Sequence, residues 1–219
     1  MNEKAGKIFS IAGENTPVAG CTISKAVSNA GGHAISYFSL AENTDISAEV
    51  YDYVKLWIVA GGKLTAYGEH IGRKNLHEGD LFVTPIRETV GISSQFSGVY
   101  TEITLQEETK MNQVLKAGEV FALKDLLPYQ EGKIVNMDLI NDPTLKLVLM
   151  SFDAGTGLSE HAAPGEALIF ALDGEAIIGY EGKEHRIKAG ENFKFDKMGK
   201  HSVTADHQFK MALLLQLQQ

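Results

Sequence analysis

The stretch GLSEHAAPGEALIFALDGEA, residues 157–176, decides the fold of this chain. A histidine opens it, Pro-Gly-Glu forms a turn, an apolar run follows, and Asp-Gly closes it. A short apolar run between two turn signals is typical of a buried β-strand. The pattern predicts two strands joined by a turn of the kind that can hold metal ligands, although His161 is the one obvious ligand in it.

Composition and charge limit the classes of protein that fit. The chain has 219 residues, 44% of them hydrophobic and 22% charged, which is typical of a globular protein with one large or two small domains. The net charge of −8 and the absence of a basic run argue against a nucleic-acid partner. A single cysteine, no signal-peptide pattern and no long apolar run predict a cytoplasmic protein without a membrane partner.

The sequence repeats itself at a nearly constant spacing. KAGKIFSI at 4–11 recurs as KAGEVFAL at 116–123, and LHEGDLFVTP at 76–85 resembles IKAGENFKFD at 187–196. One register held over most of the chain indicates duplication of a domain. We therefore predict two copies, residues 1–110 and 111–219. An early strand of one copy is expected to join the sheet of the other.

Both copies have the pattern of an all-β fold. Short runs rich in β-branched and aromatic residues follow one another, with Gly-containing pairs between them at Gly61-Gly62, Asp173-Gly174 and Glu181-Gly182. Such pairs supply the positive φ that tight hairpins require. Helix is expected only in short segments such as KDLLPYQ at 124–130, which Pro128 interrupts. The pattern predicts two β-sandwiches or barrels.

The second copy resembles a cupin domain, a small jelly-roll barrel, in HAAPGEALIFALDGE and in IKAGENFKFDKMGKHSV at 187–203. Because the resemblance covers both halves, it implies a bicupin with two tandem jelly-roll barrels. Such a duplicated chain is expected to be a monomer or a homodimer.

The resemblance also implies which positions would hold a metal. In the second copy the family's first and last histidines fall on His161 and His201, while the second histidine and the acidic ligand fall on Ala163 and Ala167. Glu166 is one residue off, which in a strand means the opposite face. In the first copy the same four positions are Glu49, Tyr51, Lys55 and Val90.

Tight binding of a transition metal takes three or four protein ligands, so the first copy is expected to bind none. For His161 and His201 three interpretations stay open. In the first, the two histidines are polar residues at a barrel mouth. In the second, they form a weak, ligand-assisted site for a divalent ion (Fe, Mn, Ni or Zn). In the third, they bind ligands or shuttle protons without metal.

A second candidate site lies in the first copy, where Glu49, Tyr51, Lys55 and Trp57 share one strand parity. They could line a pocket for a small polar molecule or a sugar stacked on Trp57. The alternative is that Glu49 and Lys55 form a solvated pair and Trp57 belongs to the core.

Two classes of function remain. The missing ligands favour a protein that binds a small molecule in a barrel pocket with degenerate metal sites. The alternative is a metal-dependent cupin enzyme of dioxygenase, isomerase or lyase type that uses the second copy.

Overall fold

A computed structural model describes residues 1–217, and within them the chain is almost entirely β-structure. The α-helix α1 spans Ile11–Glu14 and a 3₁₀ turn spans Leu123–Asp125. No helix of the described residues is long and apolar enough to cross a membrane. The strands are β1 (Ile8–Phe9), β2 (Thr22–Ala30), β3 (His33–Leu40), β4 (Thr44–Val50), β5 (Lys55–Gly68), β6 (Gly72–His77), β7 (Asp80–Val83), β8 (Thr89–Thr104), β9 (Val120–Ala122), β10 (Ile134–Asn141), β11 (Leu145–Phe152), β12 (Thr156–Ala162), β13 (Glu166–Tyr180), β14 (Lys183–Lys188), β15 (Asn192–Phe195), β16 (Lys200–Ala205) and β17 (Phe209–Gln216).

The chain divides into two compact units, each with the antiparallel strands of a jelly-roll barrel, which confirms the predicted fold class. The first barrel contains Ile11–Thr109 and Gln113–Ala122. The second barrel contains Met1–Ser10, Lys110–Asn112 and the residues from Leu123 onward. The units are therefore not two continuous halves of the sequence, because a short N-terminal segment belongs to the second barrel.

In the first barrel the main sheet has the order β2-β3-β8-β5-β7-β9, with β4 on β8 and β6 on β5. The edge strand β9 pairs with β7, with Val120 opposite Phe82. The side chains that point inward form one cluster around Trp57, Phe82 and Tyr100.

In the second barrel the corresponding order is β1-β15-β13-β17-β11-β10, and β16 pairs with both β12 and β13. Here β1 takes the edge position, with Ile8 opposite Phe193. The expected strand addition is thus present in both barrels, since β1 and β9 carry the repeated KIF and EVF segments. The core is built around Phe193, Phe195 and Phe209.

The glycine pairs differ from the hairpin turns expected for them at two of three places. Gly62 and Gly174 have φ of 79° and 69°, but they lie inside the continuous strands β5 and β13. The β5–β8 and β13–β17 ladders shift register beside them, so the positive φ serves a bulge that bends a long strand around the barrel. Glu181-Gly182 does form the expected tight turn, between β13 and β14.

Candidate functional site

The two barrels place one strand pair in the same way at the rim. In the second barrel β12 pairs with β16 and His161 lies opposite His201. In the first barrel β4 pairs with β8 and Glu49 lies opposite Val90. The structure thus places Glu49 and Val90 in the register that His161 and His201 have in the second barrel, as the residue-by-residue comparison of the copies predicted.

Two turns bring the histidines together. Gly165 ends the turn after β12, where a Cβ would lie 2.2 Å from the Gln216 carbonyl oxygen, so a side chain is excluded there. Before β16, Met198 has a φ of 63° and its N–H donates to the Ala163 carbonyl at 2.8 Å. Arg87 in the first barrel has a φ of 58° and makes the same 2.8 Å bond to Tyr51. In each barrel, therefore, a residue in the left-handed conformation ties the rim loop to the residue that directly follows β12 or β4.

The two imidazoles are direct neighbours. Their ring centroids lie 4.3 Å apart, with the planes inclined at 55°. His161 Nδ1 is 2.8 Å from the Ser159 carbonyl oxygen, and His201 Nδ1 is 2.9 Å from that of Gly199. A carbonyl only accepts, so Nδ1 of each ring carries a proton, and in the neutral form of an imidazole this leaves the lone pair of Nε2 as an acceptor.

Burial separates the two histidines electrostatically. His201 is 5% exposed and stacks on Phe195, with 4.1 Å between centroids and 20° between planes, whereas His161 is exposed at the rim. Burial lowers the pKa of His201, and the nearby His161 lowers it further, against the opposing bond to Gly199. His201 is therefore a neutral imidazole near pH 7.

The remaining ligand positions contain no donor atom. Ala163 and Ala167 occupy them, and Ala167 is buried in the core. Among residues 1–217 no group of three or more His, Cys, Asp or Glu side chains is arranged to hold a metal ion. The residues present do not fit a metal centre held by the protein alone, because two imidazoles leave half or more of a coordination shell unfilled.

Glu166, one residue from the acidic position, is engaged elsewhere. Its carboxylate pairs with Lys194 Nζ at 2.7 Å and with the N-terminal ammonium, and Lys194 also contacts Asp196 at 2.7 Å. Burial alone would raise the pKa of Glu166, but these two cations lower it overall. The carboxylate is thus a structural anion on the other face of β13.

The first barrel brings together Tyr51, Lys55 and Trp57 but leaves Glu49 exposed. Lys55 Nζ donates to Glu102 Oε1 at 2.9 Å and lies 4.0 Å from the centre of the Tyr51 ring. Trp57 Nε1–H donates to Glu102 Oε2 at 2.9 Å. The partner of Lys55 is therefore Glu102 and not Glu49, the partner expected if the two formed a solvated pair.

Trp57 lies in the core of this barrel. It is 1% exposed, between Phe82 and Tyr100 at centroid distances of 5.3 and 5.6 Å. This placement supports the core interpretation over stacking of a sugar on its ring. Burial, together with the charges of Glu102 and Glu49, raises the pKa of Tyr51 to about 12, so its hydroxyl stays protonated.

Sequence reasoning missed Glu102, which organises the cluster. The signal was present in VYTEITLQ, residues 99–106, where Glu102 has the same parity as the inward-facing Tyr100. Its register partner on β5 is Trp57. The corresponding pair in the second barrel is Leu213 and Ile169, so the Glu102–Trp57 pair has an apolar counterpart there.

The family-model match to known proteins lies in the second barrel. Residues 148–216 match the family model described as Cupin domain. No curated protein matches the chain significantly.

Two solved structures show the extent of the structural likeness. The chain is similar to a Cupin 2 conserved barrel domain protein from Leptotrichia buccalis, with 27% identity, a TM-score of 0.84 and coverage of 98% of each chain. It shares its fold with a salicylate 1,2-dioxygenase from Pseudaminobacter salicylatoxidans. That likeness has 13% identity and a TM-score of 0.65, and covers 99% of this chain and 85% of the other. Residues 148–216 are thus similar to a cupin domain, and the chain as a whole shares the fold of these two solved structures, one of which is a cupin barrel protein.

Proposed function

We propose that this chain is a small-molecule-binding protein whose ligand lies at the mouth of the second barrel, with His161 and His201 as its polar contacts. The adjacency of the two imidazoles at 4.3 Å supports this most directly. Both Nε2 atoms are free for a ligand, and Ala163 and Ala167 place only methyl groups where a metal centre would need donors. A pair of rings oriented by backbone carbonyls is pre-organised to bind.

We propose further that the chain is a bicupin in which the first barrel binds no metal. Positive-φ positions recur between the copies, as in Gly6 and Gly118 or Gly20 and Gly132, which supports a duplication. The Lys55 ammonium stands where a carboxylate ligand would be and repels a divalent cation at short range. The Lys55–Glu102 pair then serves stability rather than binding.

A compound screen by thermal shift tests the binding proposal. Wild type is compared with His161→Ala, His201→Ala and His207→Ala, the last an exposed histidine of the same barrel. At a ligand concentration of 100 times Kd the gain is about 2.7 kcal/mol, which shifts the melting temperature by several degrees. We expect at least one compound to stabilise wild type and His207→Ala and to leave the other two variants unshifted.

Two results would count against the proposal. The first is that no compound stabilises wild type. The second is that every stabilising compound acts equally on His161→Ala and His201→Ala, because the ligand then lies elsewhere.

The second candidate is a metal-dependent cupin enzyme of dioxygenase, isomerase or lyase type. One observation favours it: Nδ1 of each imidazole faces a carbonyl, the arrangement that leaves Nε2 ready to ligate. A divalent ion such as Fe, Mn, Ni or Zn would need its other ligands from the substrate or from water. Metal retained at about one ion per chain, and lost in both histidine variants, would favour this candidate over the first.

A further inference from the structure

We infer that the second-barrel site recognises hydrogen-bond donors on an uncharged ligand, such as the adjacent hydroxyl groups of a polyol or sugar, and discriminates against carboxylates and phosphates. This inference rests on the proposed function, since it names the ligand class for the same two histidines. The ligand class follows from the hydrogen bonds that the imidazole nitrogens already make to backbone carbonyls.

The tautomer of both rings is fixed by the backbone. The carbonyl oxygens of Ser159 and Gly199 accept from Nδ1 of His161 and His201 at 2.8 and 2.9 Å. A neutral imidazole has one N–H, so Nε2 of each ring is an acceptor only. With ring centroids 4.3 Å apart, the site offers two neighbouring acceptors to whatever enters it.

An anion finds no complementary group in this arrangement. Its oxygens would face two nitrogen lone pairs, which repel them. The buried cation of β15, Lys194, is already paired with Glu166 and Asp196. Lys200 adjoins His201 in β16, but successive strand residues point to opposite faces, so its ammonium is directed away from the histidine pair.

The surroundings also favour a neutral ligand. The ring that stacks on His201 belongs to Phe195, which is apolar and 1% exposed. A charge brought beside such a surface loses hydration without gaining a partner, whereas a hydroxyl needs one acceptor. Two hydroxyls on neighbouring carbons supply two donors at once, one for each Nε2.

The first test is spectroscopic and needs no ligand. Long-range ¹H–¹⁵N spectra of full-length protein labelled at histidine report which ring nitrogen carries the proton, and His161→Ala and His201→Ala assign the two signals. We expect the Nδ1–H form for both rings at pH 7.5, while the exposed His207 serves as internal reference. The Nε2–H form at either ring would overturn the inference.

The second test is a titration of the same sample with D-glucose and myo-inositol, and separately with malonate and phosphate. Two neutral hydrogen bonds give weak binding, with Kd on the order of millimolar, so each probe is taken to about 100 mM at constant ionic strength. We expect a polyol to move the His161 and His201 ring signals in a saturable way, and the anions to leave them unchanged.

Each alternative outcome has one meaning. Movement by malonate or phosphate alone overturns the inference and leaves the binding proposal standing. Movement by neither class also overturns the inference, and the binding proposal fails with it only if the thermal-shift screen is empty as well.

Discussion

Replacing Glu102 with alanine should destabilise the first barrel selectively. The carboxylate accepts from Lys55 and from Trp57, at 2.9 Å each. Its loss leaves the buried indole N–H without a partner, at a cost of about 1–3 kcal/mol. Breaking a fully buried ion pair would cost about 3–5 kcal/mol, but the Lys55 side chain is 20% exposed and regains some hydration. We expect a total loss of about 2–4 kcal/mol.

Urea unfolding followed by tryptophan fluorescence measures this loss of stability in the first barrel. Trp57 is the only tryptophan of the chain and lies in the first-barrel core, so its emission reports on that barrel. With a slope of about 1–2 kcal/mol/M, the midpoint should fall by roughly 1–4 M. Glu102→Gln keeps an acceptor for the indole and should lose less. Glu78→Ala, at an exposed turn, should change stability by no more than about 0.5 kcal/mol.

A double variant distinguishes loss of the Lys55–Glu102 ion pair from nonspecific destabilisation of the barrel. Lys55→Ala with Glu102→Leu introduces the residues found at the equivalent second-barrel positions, Ala167 and Leu213. It should be more stable than Glu102→Ala, because no buried charge is left unpaired. If Glu102→Ala behaved like the Glu78 control, the proposed role of the network would be wrong.

Three further predictions concern the second barrel. Because the pKa of His201 is lowered from its usual 6.5, the unfolded chain binds a proton that the native chain does not, so stability should decline as pH falls below about 6.5. Urea midpoints by circular dichroism should show a weaker decline for His201→Gln, and equal slopes would contradict the assignment. Gly199→Ala would place a Cβ 2.7 Å from the Tyr180 ring and should cost about 1–3 kcal/mol, whereas an unchanged melting temperature would show that the rim loop yields. Joint replacement Ala163→His and Ala167→Glu should raise zinc retention after dialysis to about one ion per chain, and failure in a folded variant would show that the rim geometry is unsuitable.

Strands with one buried face were predictable from the sequence. His33–Leu40 and Leu145–Phe152 are two of the short runs rich in β-branched and aromatic residues that predict strands, and apolar residues alternate along both. The strand β12 is largely exposed and gives no such signal, so only its register against β16 shows that His161 faces His201. Likewise, a Gly–Gly pair is compatible with a hairpin turn and with a bulge in a long strand. In this protein Gly62 lies at a bulge of β5.

The candidate site also has features that the sequence predicts and features that depend on the folded structure. Position alone indicated that Ala163 and Ala167 cannot ligate, since alanine has no lone pair. The proton positions of the two imidazoles depend on the carbonyls of Ser159 and Gly199, whose directions no residue pattern specifies. The Glu102 network required the β5–β8 register, which sets Glu102 opposite Trp57.

The metal content of untagged wild-type protein after dialysis, measured beside His161→Ala and His201→Ala, tests the central claim most directly. We predict clearly less than one Fe, Mn, Ni or Zn per chain in wild type, because each missing protein ligand removes a bond that water replaces only partly. About one ion per chain in wild type, lost in both variants, would contradict the claim and establish the second barrel as a metal centre.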